Sequence, residues 1–293
     1  MAKKPETVGL DRSDHAPRRG FPWGVIVAFI LIVIASLAAW LFQRQIGKAL
    51  APKPTELPPP PGQTGGSLPP GVLYQDNFDT PDSVKDWDIF NDGTISAALN
   101  NGRLEVGVKA LTDTGGWSGL NFTFTDFKLD VDATKIDGPD DNGIMVIFRV
   151  ADKQNYDRFD ISSDGYYALS KVRNGVPTIV SNFPITPNPA IKTGTDTNHI
   201  TVVARVGTYT FTVNGTPLKL CTSTDPNAKP IWDQTGKCLG GTLVDSWQDA
   251  DLTKGKIGLG AQAFVPRSGD QTTQAAIAKI AFDNLVIKTP DTP

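Results

Sequence analysis

The chain has 293 residues, 39% of them hydrophobic and 20% charged, with 28 Lys and Arg against 31 Asp and Glu for a formal net charge of −3. A weakly acidic chain without a basic stripe excludes nucleic acid as a partner. Two cysteines and two histidines, His15 and His199, are too few and too scattered for a zinc centre.

Residues 1–20 make a short basic tail, too small to fold as a module. Phe21–Phe42, FPWGVIVAFILIVIASLAAWLF, is apolar and uncharged. As a helix rising about 1.5 Å per residue it reaches ~33 Å, enough to cross a hydrocarbon core of about 30 Å. Residues 21–43 are therefore expected to cross a membrane and contact its lipid, with Trp23 and Trp40 at the headgroup boundaries. Lys3, Lys4, Arg12, Arg18 and Arg19 precede the run, and only Arg44, Lys48 and Lys53 follow it closely. The positive-inside bias then places the N-terminus in the cytoplasm and the C-terminal body outside the cell membrane. A cleaved signal peptide competes, since Ser36, Ala38 and Ala39 imitate a cleavage site; the long basic region and long apolar run favour an uncleaved single-pass signal anchor.

Residues 44–71 form a juxtamembrane segment and stalk. The stretch APKPTELPPPPGQTGGSLPPG is so rich in proline that it favours extended polyproline geometry and reads as a spacer. The remainder, 72–293, fits one all-β domain. Its acids are aspartates except for Glu105, and aspartate favours turns over helices.

Short β-type runs follow one another: Val72–Phe78, Ile95–Leu99, Arg103–Val108, Leu120–Phe124, Lys128–Thr134, Gly143–Ala151, Tyr156–Ser162, Tyr166–Arg173, Thr178–Val180, His199–Val206, Tyr209–Val213, Lys256–Phe264 and Ala276–Ile287. Asn101-Gly102, Asn174-Gly175 and Asn214-Gly215 are hairpin turn pairs that tolerate positive φ. Many strands with no helix between them imply two antiparallel sheets packed as a sandwich. One register can be set. A three-residue loop Ser163-Asp164-Gly165 with Gly165 left-handed opposes Ile161 to Tyr167 and Phe159 to Leu169, all four toward the core. Tyr156, Arg158, Asp160, Tyr166 and Ser170 then share the opposite face, with Arg149 a candidate to join them. Along FKLDVDATK, Phe127, Leu129 and Val131 are expected inward.

The run NGIMVIFRVADKQNYDRFDISSDGYYALSKVRNG at Asn142–Gly175 resembles the central hairpins of the concanavalin A-like lectin and glucanase superfamily, which includes laminin G-like domains. LYQDNFDTPDSVKDWDIF at Leu73–Phe90 resembles the opening strand of such domains, and KIAFDNLVI at Lys279–Ile287 the closing one. The resemblance implies an antiparallel jelly-roll β-sandwich over nearly the whole body. Glycosidases of this superfamily carry their acid and nucleophile as glutamates in an E-x-D-x-x-E strand, and nothing here matches: Glu105 stands alone in LEV. No enzyme is expected. The resemblance also implies a candidate structural calcium between first and last strands, with Asp76 or Asp79 and Asp283 as oxygen ligands, although no cofactor is required. The acidic loop DGPDDNG, Asp137–Gly143, is a second candidate.

Sugar recognition needs aromatic faces beside planar polar groups. Tyr156, Arg158, Asp160 and Tyr166, with Arg149, are the candidate ligand-binding residues, whereas Trp87, Trp117, Trp232 and Trp247 read as core or loop anchors. Cys221 and Cys238 are expected to form a disulfide within a long insert, Leu218–Trp247, free thiols being the alternative. The expected whole is a membrane-anchored, non-catalytic binding module for glycan or cell-envelope polymer. An accessory subunit docking on another membrane or envelope protein is the alternative, and a glycoside hydrolase the third reading.

Overall fold

The computed structural model describes residues 68–225, 227–266 and 275–291. The run Phe21–Phe42 and the stalk up to Ser67 lie outside the described residues. Among the described residues, no helix is long and apolar enough to cross a membrane.

The strands in chain order are β1 (Val72–Asp76), β2 (Phe90–Asn91), β3 (Ile95–Asn100), β4 (Arg103–Ala110), β5 (Thr114–Gly119), β6 (Phe127–Asp137), β7 (Gly143–Asp152), β8 (Asn155–Ser162), β9 (Tyr167–Arg173) and β10 (Val176–Ser181). They continue as β11 (Asn198–Arg205), β12 (Thr208–Val213), β13 (Thr216–Pro217), β14 (Leu220–Thr222), β15 (Ile231–Trp232), β16 (Cys238–Leu239), β17 (Thr242–Val244), β18 (Trp247–Gln248), β19 (Lys256–Ala263) and β20 (Ala276–Lys288). One sheet has ten strands in the order β13-β12-β11-β6-β20-β4-β3-β2, with β1 added on β20 and β18 on β12. The other has six, β10-β9-β8-β7-β19-β5. The fold is an antiparallel β-sandwich, consistent with a jelly roll.

Alternation along each strand decides which face meets the other sheet. In β6, Phe127, Leu129, Val131 and Ala133 are fully buried, while Lys128, Asp130 and Asp132 keep partial exposure on the outer face. Ile144, Val146 and Phe148 of β7, Phe159 and Ile161 of β8, and Phe211 of β12 join the same core. Phe159 and Phe211 stack with centroids 4.5 Å apart and so tie the two sheets together.

The three Asn-Gly pairs have positive φ at both residues, from 50° to 80°, as the two-residue hairpins require. Ile161 pairs with Tyr167 and Phe159 with Leu169, and Gly165 has φ 98°, so the hairpin takes the register read from the sequence. Two expectations fail. Leu120–Phe124 forms no strand, only isolated bridges at Leu120 and Phe124, and the strand lies just before it as β5. TGGWSG hides from pattern reading because its glycines carry no alternating apolar side chain.

The second failure is Arg149. Strict alternation after Met145 and Ile147 would turn it outward, but φ is 55° there and the register with β8 shifts after Phe148. This bulge swings the guanidinium into the sandwich, where it is 1% exposed. Its Nε donates to Tyr209 Oη at 3.0 Å and its Nη1 to the carbonyls of Phe124 and Thr125. It also stands over the rings of Phe127 and Tyr209. Gly255 lies so close that a Cβ would meet the Arg149 carbonyl carbon at 2.2 Å.

Candidate functional site

The outer face of the six-stranded sheet holds a cavity of about 200 Å³ lined by Gly115, Trp117, Met145, Ile147, Tyr156, Arg158 and Gln262. Register brings them together: Gly260 of β19 pairs with Trp117 of β5 on one side and Met145 of β7 on the other, and Ile147 pairs with Arg158 of β8. Glycine is needed beneath the indole. A Cβ at Gly258 would lie 2.6 Å from Trp117 Cδ1, and one at Gly260 would lie 2.8 Å from Trp117 Cβ.

With β19 stripped of side chains there, Trp117 leans across it toward Tyr156, and the two rings meet with centroids 5.0 Å apart at 55°. Arg158 Nε donates to both oxygens of Asp160, at 2.7 and 2.8 Å, and its Nη1 donates to Gln262 Oε1 at 3.1 Å. Asp160 is thereby a clamp on Arg158. Burial pushes its carboxyl up from the ordinary range, and the guanidinium draws it back. Burial likewise raises the Tyr156 hydroxyl, so the phenol is neutral and can donate a hydrogen bond. Two aromatic rings beside a held guanidinium and a side-chain amide can stack a sugar ring and bond its hydroxyls.

Of the sequence-predicted ligand residues, the structure brings Tyr156, Arg158 and Asp160 together. Tyr166 lies instead in the β8–β9 loop, its carbonyl accepting from Ser162 N, and does not line the cavity. Arg149 belongs to the core, as described. Trp117 and Gln262 were missed. The signal for Trp117 was its neighbourhood of glycines facing a second Gly-x-Gly in Gly258–Gly260, and a pairing between those two runs is not visible in the sequence. Trp87, Trp232 and Trp247 are buried, as anchors should be.

Asp76, expected among the calcium ligands, is 1% exposed and already engaged by four donors: Phe78 N, Ser83 Oγ, Tyr74 Oη and Trp87 Nε1. That shell leaves its carboxylate closed to a cation. Asp79 accepts from Asn77 and Asp283 from its neighbour Asn284. Burial first, and then Asp79 and Asp132, raise the Asp283 carboxyl. In the DGPDDNG loop, Asp140 pairs with Lys135 at 2.6 Å. Among the described residues no group of three or more metal-ligating side chains occurs.

Glu105 lies on β4 of the other sheet, 5% exposed and paired with Lys279 at 2.5 Å. A cavity of about 490 Å³ on the outer face of that sheet is lined by Lys128, Asp130, His199 and Thr201 among others, with no Trp or Tyr. His199 Nδ1 lies 2.7 Å from Asp132 Oδ1 beside it. Without an aromatic platform this face is the weaker candidate.

Cys221 and Cys238 form the disulfide, 17 residues apart, inside the insert. The insert folds as two small hairpins, β14 with β17 and β15 with β16, and packs on the end of β10 through Cys221 N to Ser181 Oγ and Trp232 Nε1 to Asn182 O.

No protein-family model matches the sequence, and no curated protein does. Solved structures do resemble the fold. A carbohydrate-binding module of Bacillus subtilis is 16% identical with a TM-score of 0.44, covering 70% of this chain and 96% of its own. A Bacillus subtilis protein with a galectin-like fold is 16% identical at 0.48, covering 75% of this chain and 96% of its own. A Bacillus licheniformis β-glucanase is 14% identical at 0.44, covering 78% of this chain and all of its own. At such identities the likeness is one of fold alone.

Proposed function

We propose that this protein is a non-catalytic glycan-binding module, held at the outer side of a membrane by residues 21–43 and spaced from it by the proline-rich stalk. The observation that carries the reading is the Trp117–Tyr156 ring pair beside Arg158, Asp160 and Gln262. A sugar ring stacks on the indole while the guanidinium and amide bond its hydroxyls. The carboxylate inventory supports binding over hydrolysis. Retaining or inverting chemistry needs two facing carboxyls; among the described residues no carboxylate lines this cavity, and Asp160 beside it is committed to Arg158. Glycan-array binding by the full-length chain, wild type against Trp117→Ala and Arg158→Ala, tests it: loss of signal in both variants is expected, and unchanged signal removes the reading.

A second reading, an accessory subunit docking on another envelope or membrane protein, draws support from the insert. Ile231, Leu239 and Leu243 are 49%, 39% and 40% exposed there, and Ile231 directly opposes Leu239. Replacing Ile231 and Leu239 with serine should then abolish co-purification of a partner while leaving glycan binding intact.

A further inference from the structure

Trp117 does not stand at the end of its cavity. On its far side runs a second, open groove of about 800 Å³, between the segment Trp87–Ile95, strand β5 and the tip of the β7–β8 hairpin. The two spaces share Gly115 and Trp117 in their linings, so a ligand stacked on the indole has room to continue in both directions.

Charge limits what that ligand can be. In the first cavity the one cation, Arg158, is neutralised by Asp160 through both carboxylate oxygens. The groove carries Asp88, Asp92 and Asp152 against Lys153 and Lys256. Backbone N–H groups of Ile95 and Thr94 hold the Asp92 carboxyl below the usual range, and the N–H of Gln154 with the amide of Asn155 does the same for Asp152, so both stay ionised. Lys256 is in turn bonded to Asn121 at 3.1 Å. No surplus of positive charge awaits a polyanion, and a uronate or phosphate chain laid along the groove would meet carboxylates at close range.

We propose that the ligand is an internal stretch of a neutral, linear polysaccharide, crossing Trp117 from the Arg158 cavity into the groove; this rests on the glycan-binding reading above. Chain length and charge are both read by the site.

The test is calorimetric titration of the full-length chain with β-glucan and β-xylan oligosaccharides of increasing length, from disaccharide to hexasaccharide, and with oligogalacturonides of matched length. Affinity for at least one neutral series should rise tenfold or more from the shortest to the longest, with the acidic series at least tenfold weaker at each length. Asp88→Lys, an exposed change in the groove, should narrow the gap between the neutral and acidic series. Equal affinity for short and long oligosaccharides, or acidic chains bound as tightly as neutral ones, would overturn the inference and leave glycan binding standing. Failure to bind any oligosaccharide would remove the parent reading and this one with it.

Discussion

Trp117 and Tyr156 belong to strands separated by two others, β19 and β7, yet their rings stand 5.0 Å apart above the sheet. The contact is open because Gly258 and Gly260 leave β19 without side chains beneath the indole. It makes one aromatic platform out of two side chains distant in sequence. Aromatic residues of this kind dominate the energetics of recognition surfaces.

Trp117→Ala should weaken glycan binding by about 2 kcal/mol, roughly 30-fold in Kd. The ring is half-buried on an outer face, so the melting temperature should move by only a few degrees. Titration and calorimetric melting of the same preparation check both halves.

Gly258→Ala separates geometry from chemistry. The new methyl would press on Trp117 Cδ1, the movable end of a side chain, not on backbone. The expected outcome is a fold that melts close to the wild type with glycan affinity reduced at least fivefold. Tryptophan fluorescence, shifted to longer wavelength as the indole is displaced, gives an independent reading.

Arg149 behaves oppositely. Arg149→Met removes one bond to Tyr209 Oη, which still donates to Leu252 O, one to Phe124 O, which still accepts from Gly255 N, and one to Thr125 O. Hydrogen bonds to a charged group contribute about 1.5–3 kcal/mol each, so a loss of ~3 kcal/mol or more is expected in denaturant unfolding. Glycan affinity, measured where the variant is folded, should be unchanged.

Asp157 sets a pH dependence. It points inward from β8, fully buried, and its one close partner is Arg173, whose Nη2 lies 2.7 Å from Oδ1. Burial, against the pull of Arg173, lifts its pKa from 3.8 to about 6. The folded state therefore holds this proton more tightly than the unfolded chain does. Its contribution to stability is fully present below pH 3.8 and is lost as pH rises through about 6. Asp157→Asn should be more stable than the wild type at pH 7, by up to ~3 kcal/mol, with the difference shrinking toward pH 4. Denaturant midpoints across that range decide it.

Reduction of the Cys221–Cys238 bond frees a 17-residue separation, and in the chain-entropy model that costs about 3 kcal/mol. The insert caps the end of β10, away from the aromatic platform, so reduction should lower the melting temperature and leave glycan affinity within twofold.

The sheet architecture was legible because hydrophobic alternation and Asn-Gly turns are local signals. Phe127, Leu129 and Val131 announce their inward face, and Ser163-Asp164-Gly165 sets the pairing of Ile161 with Tyr167. Tyr156, Arg158 and Asp160 follow from that one register. What stayed hidden depends on departures from period two or on distant pairing. Arg149 turns inward through a left-handed backbone step that a non-glycine residue seldom takes. Trp117 sits in a glycine-rich strand whose meaning appears only opposite Gly258 and Gly260. Asp76 looks like a cation ligand until Tyr74, Ser83 and Trp87 are seen closing on it.

The most direct measurement is incubation of the full-length chain with a panel of insoluble polysaccharides, reading retained protein and released sugar together. Retention of the wild type on a neutral polymer, its loss in Trp117→Ala, and no new reducing ends in the supernatant are the expected results. Release of reducing ends by the wild type, or retention that Trp117→Ala leaves unchanged, would contradict a binding module built on the Trp117–Tyr156 platform.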